Sequence, residues 1–446
     1  LDNKKIPAKQ RLFMTATPRI FTSQFQKQSA KSGTKVLSMD NVEDFGPELH
    51  KLSFGHAIKP PDGSKPLLTD YQVVVVGIDN PYYSSMIDKR KLIRTDNNIQ
   101  SDAQSFASYI ALAKAIKSFD LKKIITFHTK VKAASDFANK FSEVIDWMSN
   151  KSRPSGSILT NFVSGKMSTF DRNKKLEVLS DIEDGQRCIL SNARCLSEGI
   201  DVPTLDGIAF IDPRNSEIDI IQAVGRAIRL SKDKNIGTIV IPVFIDENED
   251  SYEVINSSPF KKVWAVVNAL RAHDEDLGEK LDQLRRELGK RGKVGSIDKI
   301  IFDLPKTINK KFEIALKTRL IESTSQSWEF WFGLLEEYIA TFGHGFIPSD
   351  YKTKSNYPLG AWAANQRHYY NIESKYLDNK GKQRLEDLGF IWSRWEFKFN
   401  ELLKYKKLYG NCNVPDKHIT EFEVDLGAWV IRQRAKFKNG TLEREK

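Results

Sequence analysis

The sequence predicts an α/β domain whose parallel sheet has helices on both faces, followed by small all-α modules of three helices each. Two observations lead to this prediction. Between residues 96 and 250, short apolar runs alternate with longer segments of helical periodicity, which is the pattern of strands joined by crossover helices. Between residues 326 and 446, a set of residues recurs at one constant interval, which is typical of repeated modules.

Each element of the α/β segment is predicted from its own residues. The strands are apolar runs bounded by polar or turn-forming residues, and the helices carry apolar residues three and four positions apart. Residues 71–76 form an earlier apolar run that is also predicted to be a buried strand. The other predicted strands are 122–127, 157–163, 187–191, 206–211 and 236–243, and the predicted helices are 101–118, 130–148, 169–184 and 216–229.

Composition limits the class of protein and its partners. The chain has 446 residues, 40% of them hydrophobic, and a net charge of +11, which suits a polyanionic partner. Its three cysteines form no Cys-x-x-Cys pair, so neither a metal site nor disulfides are expected, and the cytoplasm is the predicted compartment. No apolar stretch approaches the ~20 residues of a membrane span, so no membrane partner is expected.

The most informative string lies at residues 222–229, which read Gln-Ala-Val-Gly-Arg-Ala-Ile-Arg. In a helix, Gln222, Arg226 and Arg229 fall at i, i+4 and i+7 and share one face. Two guanidinium groups at that spacing form a fork suited to phosphate oxygens. Taken alone, the string is equally compatible with an amphipathic helix whose basic face is solvated.

Three segments precede this string in the order found in superfamily 2 helicases. Residues 12–18 (Leu-Phe-Met-Thr-Ala-Thr-Pro) resemble motif III, an apolar strand ending in Thr-Ala-Thr. Residues 124–129 (Ile-Ile-Thr-Phe-His-Thr) resemble motif IV, and residues 188–203 resemble motif V. Residues 222–229 then resemble motif VI. Because four motifs occur in the family's order, the chain resembles a superfamily 2 helicase, and its α/β domain is expected to be a RecA-like motor domain.

The resemblance implies roles in nucleotide binding. Arg229 is expected to be the arginine finger and Arg226 its partner on the γ-phosphate of ATP, with Gln222 nearby. Asp201 is expected near the ribose, and Gly199 lets the backbone approach closely. The alternative for Asp201 is a cap of the turn before Val-Pro. In this interpretation, motifs IV, V and VI all lie beyond the carboxyl ends of the strands, where parallel sheets bind ligands.

The resemblance also implies coupling and nucleic-acid contacts. Segments 40–47 and 67–71 loosely resemble the stretch between the two motor domains of the restriction-enzyme-like branch, which acts on duplex DNA. Hydroxyl groups of motif III are expected to couple hydrolysis to motion, although they could simply satisfy a strand end. The residues concerned are Thr15, Ala16 and Thr17 for coupling, and Ser191, Asn192 and Arg194 for the nucleic-acid backbone.

Two motor motifs are not found in the sequence. A P-loop needs Gly-Lys followed by Ser or Thr, but the three Gly-Lys pairs, at Gly165, Gly289 and Gly381, are followed by Met, Arg and Gln. No Asp-Glu-x-His box follows an apolar strand. In the family both precede motif III, so the chain is expected to be a carboxyl-terminal part, with the Mg²⁺ ligands upstream and no ATPase activity by itself.

An internal repeat occupies the last part of the chain. Seven residues recur 67 positions later, and each unit reads as a helix, a Gly/Pro turn and a Leu-Gly-x-Trp helix, with a third helix ending the first unit. The pattern resembles the helicase-associated domain, whose third helix in the second unit is expected beyond residue 446. The repeated pairs are Trp328 and Trp395, Gly343 and Gly410, Pro348 and Pro415, Gly360 and Gly427, Trp362 and Trp429, Gln366 and Gln433, and Arg367 and Arg434.

The repeated residues divide into two groups. The tryptophans are expected to pack the small module cores rather than stack on bases. The polar groups that follow the second tryptophan are expected to grip nucleic-acid phosphates, with docking to another protein as the alternative. These polar residues are Gln366, Arg367, Gln433 and Arg434.

The sequence thus predicts the carboxyl-terminal part of an ATP-dependent nucleic-acid helicase or translocase that uses ATP and Mg²⁺, with duplex DNA as the expected track. The expected partners are nucleic acid, the first motor domain of the same protein and restriction-system subunits. Two alternatives stay open, a non-catalytic nucleic-acid-binding remnant and the motor subunit of a restriction system. The predicted division is 1–95 (tail of the first motor domain and connection), 96–250 (second motor domain), 251–325 (basic helical extension), 326–392 (first module) and 393–446 (second module).

Overall fold

The chain forms two compact units in the computed structural model. The first unit comprises Leu1–Lys280 and Ile297–Thr324, and the second comprises Leu281–Ser296 and Ser325–Lys446. The structure describes residues 7, 9–15, 29, 37–79, 99–193, 205–212, 216–231, 234–245, 255, 258–308, 310–421 and 424–442.

The first unit is an α/β domain built on seven parallel strands. The order of the strands is β3-β4-β2-β5-β6-β1-β7. Its elements are α1 (Val42–Phe45), α2 (Phe54–Ile58), β1 (Asp70–Asp79), α3 (Ile99–Ser118), β2 (Lys123–His128), α4 (Val131–Trp147), β3 (Ser157–Ser164), α5 (Thr169–Ser180), β4 (Gln186–Ala193), β5 (Gly207–Asp212), α6 (Glu217–Ala227), β6 (Ile236–Ile245), α7 (Ser258–His273), α8 (Glu275–Arg291), β7 (Ile300–Asp303) and α9 (Lys310–Thr324).

The sheet is buried because its strands are apolar runs. Residues 73–76 of β1, all valine, have no exposed surface, as expected for a strand covered on both faces. Helices α3 and α4 place Ile110, Leu112, Phe137 and Phe141 in one apolar cluster with the sheet. All carboxyl ends of the strands lie at one edge of the sheet and all amino ends at the other. We call these the carboxyl edge and the amino edge.

The predicted fold class and alternation of elements are confirmed, with four corrections. Strand β1 pairs with β6 and β7, so it belongs to this sheet and not to a connection ending at residue 95. Strand β7 and helix α9 likewise lie in the first unit, not in a separate extension. Local patterns reveal that a strand is buried, but its partners are chosen by long-range pairing. The helices predicted at 169–184 and 216–229 end early, at Ser180 and Ala227.

Motif III is the fourth correction. Among the described residues of this segment, 11–15 form no strand, and Leu12 and Met14 are 68% and 84% exposed. A strand needs a neighbour that completes its ladder of hydrogen bonds, and the seven-stranded sheet does not provide one here. Ala16 and Thr17 lie outside the described residues, and Thr15 is exposed.

The second unit contains the last part of α8 and the two helical modules. The first module has three helices, and two helices of the second are described. Its elements are α10 (Ser327–Phe342), α11 (Leu359–Asn371), α12 (Asn379–Asp387), α13 (Arg394–Tyr409) and α14 (Leu426–Lys438).

The tryptophans of the two modules have equivalent contacts. Trp328 lies 6.1 Å from Trp362 between ring centroids, and Trp395 lies 6.0 Å from Trp429. Each also belongs to the apolar cluster of its module. The prediction that these four residues pack the module cores is therefore confirmed.

Candidate nucleotide and nucleic-acid sites

The arginines of motif VI lie at the end of helix α6. Ser216 caps the amino end of this helix, because its hydroxyl accepts from the Asp219 N–H. Arg226 is in the last turn and only 6% exposed, and Gln222 lies one turn earlier and is half-buried. These two residues therefore share a helical face as predicted.

Arg229 does not share that face. The helix ends at Ala227, and Arg229 forms an antiparallel bridge with Leu68, so the predicted i+7 relation is wrong. The reason is tertiary. The Thr69 N–H donates to the Ile228 carbonyl at 2.8 Å, and the Thr69 hydroxyl donates to the Arg229 carbonyl at 3.2 Å. These bonds hold the backbone of Arg229 extended.

A buried lysine completes the support of this segment. The Lys234 ammonium donates to the carbonyl oxygens of Leu205 at 3.0 Å and Ala227 at 2.7 Å, so it caps the carboxyl end of α6, where cations are favoured. Burial lowers the pKa of Lys234 to about 8, although Asp206 opposes this shift. The ammonium is thus still charged at neutral pH. Sequence reasoning missed these roles of Thr69 and Lys234 because neither residue belongs to the four helicase motifs, although Thr69 lies in segment 67–71, which resembles the stretch between motor domains.

This site lies at the amino edge of the sheet. Thr69 immediately precedes β1, Leu205 lies two residues before β5, and Lys234 lies two residues before β6. A Cβ on Gly237, the second residue of β6, would come within 2.4 Å of the Ala227 carbonyl oxygen. The expectation that motif VI lies beyond the carboxyl ends of the strands is therefore wrong. Helix α6 runs back to the opposite edge of the sheet, and the two arginines lie at and just after its end.

The carboxyl edge holds a buried polar cluster from motifs IV and V. The Thr126 hydroxyl donates to Ser191 Oγ at 3.0 Å and lies 2.9 Å from His128 Nε2. The three side chains therefore form one hydrogen-bonded chain across β2 and β4. Burial lowers the pKa of His128 to about 4, although Asp212 opposes this shift, so the imidazole is neutral at pH 7.

The cluster changes the interpretation of Ser191. Its side chain has no exposed surface, so the direct contact with nucleic acid expected from the sequence is not available to it. Asn192 is also buried. Ser191 instead fixes β4 against β2 at the point where motif V leaves the sheet. Arg194, Gly199 and Asp201 lie outside the described residues.

Charged groups adjoin this cluster at the end of β5. The Thr129 hydroxyl donates to Asp212, the last residue of that strand. The Lys262 ammonium donates to the Ile211 carbonyl at 3.4 Å. Burial lowers the pKa of Lys262 to about 8, and the Asp212 carboxylate opposes this shift. The carboxyl edge therefore combines neutral hydrogen-bonding groups with one acid and one base.

The polar residues of the modules have mainly structural contacts. The indole N–H of Trp328 donates to Gln366 Oε1 at 3.4 Å, and that of Trp395 donates to Gln433 Oε1 at 3.2 Å. Arg367 is buried and donates to the carbonyl oxygens of Ile391 at 2.9 Å and Ile347 at 3.2 Å.

These contacts correct the phosphate-gripping role predicted for Gln366 and Arg367, which are both buried. A buried side chain held by carbonyl oxygens or by an indole cannot reach phosphate without breaking those bonds. Gln433 is half-buried and accepts from the indole through Oε1, so its contact with phosphate stays a prediction. Arg434 differs, since it is exposed and donates to the Cys412 carbonyl at 2.8 Å.

Comparison with known proteins identifies the domains. Residues 108–231 match the helicase conserved C-terminal domain, and residues 325–393 and 393–446 each match the helicase associated domain. None of the described helices is long and apolar enough to cross a membrane.

Viral proteins and one restriction enzyme are among the similar proteins. A "Probable helicase" of African swine fever virus (isolate Pig/Kenya/KEN-50/1950) is 25% identical over 275 residues, which are 61% of this chain and 26% of the relative. Its counterpart in strain Badajoz 1971 Vero-adapted is 25% identical over 279 residues, covering 61% of this chain and 26% of that protein. The chain thus spans about a quarter of the length of these curated relatives.

A solved structure shares the fold over most of the chain. It is the ATP-dependent Type ISP restriction-modification enzyme LlaBIII bound to DNA, with a TM-score of 0.53 and 20% identity over 92% of this chain and 25% of that chain. The chain therefore contains a helicase conserved C-terminal domain followed by two helicase associated domains.

Proposed function

We propose that the chain is part of an ATP-dependent nucleic-acid translocase of the restriction-enzyme-like branch, with duplex DNA as its track. In this proposal a first motor domain supplies the P-loop and the Mg²⁺ ligands. The present chain supplies Arg226 and Arg229 to the phosphates of ATP, with Gln222, Gly199 and Asp201 nearby. The protein would act in the cytoplasm.

The observation that carries the proposal is the construction of the motif VI segment. Arg226 is held by the last turn of α6, and Arg229 by Thr69. The Lys234 ammonium ties this segment to Leu205, just after motif V. Cations fixed in position before a reaction can stabilise charge developing on a transferred phosphoryl group. A mobile basic surface would not need this support.

The surroundings of Gly225 support the same proposal. A glycine inside a helix costs roughly 1 kcal/mol relative to alanine, yet a Cβ at Gly225 would meet nothing within 4 Å in the described part of the chain. Packing against the described residues therefore does not require this glycine. Close approach of a nucleotide or of the first motor domain explains it.

The test measures ATP hydrolysis by the full-length protein with and without duplex DNA. We expect hydrolysis that DNA stimulates and that Arg229→Ala abolishes while the variant still binds DNA. Hydrolysis that is absent with every nucleic acid, together with intact DNA binding, would favour the non-catalytic alternative. Stimulation by RNA but not by DNA would overturn the choice of track.

A second candidate is the motor subunit of a restriction system. The observation that favours it is the fold shared with the Type ISP enzyme, which covers 92% of this chain. In that case the partners include restriction-system subunits, and the full-length protein or its complex should cleave DNA in an ATP-dependent reaction. ATP-driven translocation without cleavage would leave the translocase as the better description.

A further inference from the structure

The first helices of the two modules have opposite charge. Helix α10 contains three glutamates and no lysine or arginine, whereas α13 contains five lysines and arginines and two glutamates. The two helices occupy equivalent positions in their modules, since α10 ends at Gly343 and α13 at Gly410, both in the left-handed conformation. The charge of α13 is therefore not needed to build a module.

Three positions carry much of this difference. Ser327, Trp331 and Asn365 of the first module correspond, 67 positions later, to Arg394, Lys398 and Arg432. In the first module Trp331 is an apolar packing residue, stacked 6.4 Å from Trp362. In the second module a lysine takes its place, and two arginines are added beside it.

Helix α10 also packs against α8 through a face whose counterpart on α13 carries an exposed residue. A Cβ on Gly333 would come within 2.0 Å of the Arg286 carbonyl oxygen, and one on Gly289 within 2.1 Å of the Phe330 carbonyl oxygen. The backbone of α10 thus lies directly against α8. The residue that corresponds to Gly333 is Asn400, which is exposed. In the first module this face of the first helix packs against α8, whereas in the second module the equivalent position is exposed.

The three cations of the second module lie together. Arg394 and Lys398 are four residues apart on α13, so their Cβ atoms lie roughly 6 Å apart on one face of the helix. Helix α14, which carries Arg432, is fixed to α13 by the hydrogen bond between Trp395 and Gln433. Burial, then Arg432 and Arg394, lower the pKa of Lys398, while Asp425 opposes this shift.

No acid among the described residues forms an ion pair with this group, although the Asp425 carboxylate acts on Lys398 from a greater distance. Within the described residues, Arg394, Lys398 and Arg432 form no salt bridge, and Arg394 and Arg432 are exposed. Asp425 is engaged as the cap of α14, where its carboxylate accepts from the Ala428 N–H. Like charges held together without a partner destabilise a protein slightly, so the arrangement is explained by an anionic ligand.

We propose that Arg394, Lys398 and Arg432 form a binding site for the sugar–phosphate backbone of nucleic acid on the second module, an inference that rests on the proposed translocase function. Guanidinium groups bind phosphate oxygens bidentately, and the site contacts backbone irrespective of sequence. The first module attaches to α8, and the second grips the track.

The experiment measures binding of the 446-residue chain to labelled duplex DNA of arbitrary sequence over a range of salt concentrations. The variant combines Arg394→Gln, Lys398→Gln and Arg432→Gln. Its control removes the same charge from exposed positions at the far ends of the same two helices, with Lys406→Gln, Lys407→Gln and Lys438→Gln. The affinity falls as salt rises, and each lost phosphate contact makes the slope of log K against log[salt] shallower by about 0.9. We therefore expect the slope to become shallower by about 2–3 for the variant and by less than about 1 for the control.

Three outcomes would overturn the inference. Equal losses in the variant and the control would show a diffuse charge effect and leave the translocase proposal intact. Unchanged DNA binding by the variant together with lost binding to polyglutamate would identify an acidic protein as the partner. If the unmodified chain binds no DNA, the nucleic-acid part of the proposed function fails first. Unchanged melting temperatures verify that both triple variants are folded.

Discussion

The two edges of the central sheet carry different chemistry. The amino edge holds three cations in a short stretch, Arg226, Arg229 and Lys234, whereas the carboxyl edge holds the neutral chain His128–Thr126–Ser191. A ten-residue strand such as β6 separates the edges by roughly 30 Å. One sheet thus carries a group of cations at one edge and, at the other, a buried chain of neutral side chains beside one carboxylate and one ammonium. Motifs V and VI are therefore close in sequence, but their described side chains lie at opposite edges of the sheet.

The largest expected effect is at the amino edge. In the full-length protein, Arg229→Lys keeps the charge but loses the planar fork, so we expect DNA-stimulated hydrolysis to fall by about 10³-fold or more. Binding to DNA should change little. The matched control is Arg153→Lys, at an exposed position of the same unit. Near-normal turnover by the Arg229 variant would make Arg229 a surface charge.

The next effect concerns pH at the carboxyl edge. The pKa of His128 is about 4 in the folded chain, below its ordinary 6.5. As the pH falls, His128 therefore takes up a proton in the unfolded chain before it does so in the folded chain. Its contribution to the free energy of unfolding is complete above pH 6.5 and is lost between pH 6.5 and 4. The loss is at most roughly 3 kcal/mol.

Hydrogen exchange of the β2 amides checks this prediction. Their protection should fall over that range in the unmodified chain, and by much less in His128→Asn. Exposed His50→Gln serves as the control and should keep the full pH dependence. The same pH dependence in both variants would contradict the assignment to His128.

A matched pair of threonines compares the edges directly. Thr69→Val removes the hydroxyl bond to the Arg229 carbonyl, and Thr126→Val removes bonds to Ser191 and His128. Each change should lower the free energy of unfolding by about 1–3 kcal/mol. Thr69→Val should mainly reduce the rate of ATP hydrolysis, and Thr126→Val should mainly weaken DNA binding. Identical functional profiles would mean that the two edges do not serve separate ligands.

The smallest effect is expected at Gly225. Because a Cβ there meets no neighbour, Gly225→Ala should raise the free energy of unfolding of the 446-residue chain by up to about 1 kcal/mol. Hydrolysis by the full-length protein should nevertheless fall, since the methyl group enters the approach of the nucleotide or the first motor domain. Gly237→Ala is the opposite control and should destabilise, because its Cβ would lie 2.4 Å from the Ala227 carbonyl oxygen. Full activity of Gly225→Ala would remove this support for the site.

The sequence by itself determined the fold class, the sequence of strands and helices between residues 96 and 250, and the two modules. Those features follow from local periodicity, from ordered motifs and from a constant repeat interval, all of which can be read without knowing any long-range contact. The core role of the four module tryptophans was also predictable, because small modules need large apolar anchors.

Only the tertiary structure decided where the chemistry lies. Whether Arg229 stays on the helix depends on Thr69, 160 residues earlier, and whether Arg367 is free depends on the Ile391 and Ile347 carbonyls. The placement of β1 next to β6 and β7 likewise depends on strand pairing across the chain. The physical reason is common to all three: a polar group or strand is satisfied by whichever partner the fold brings to it, and no local pattern identifies that partner.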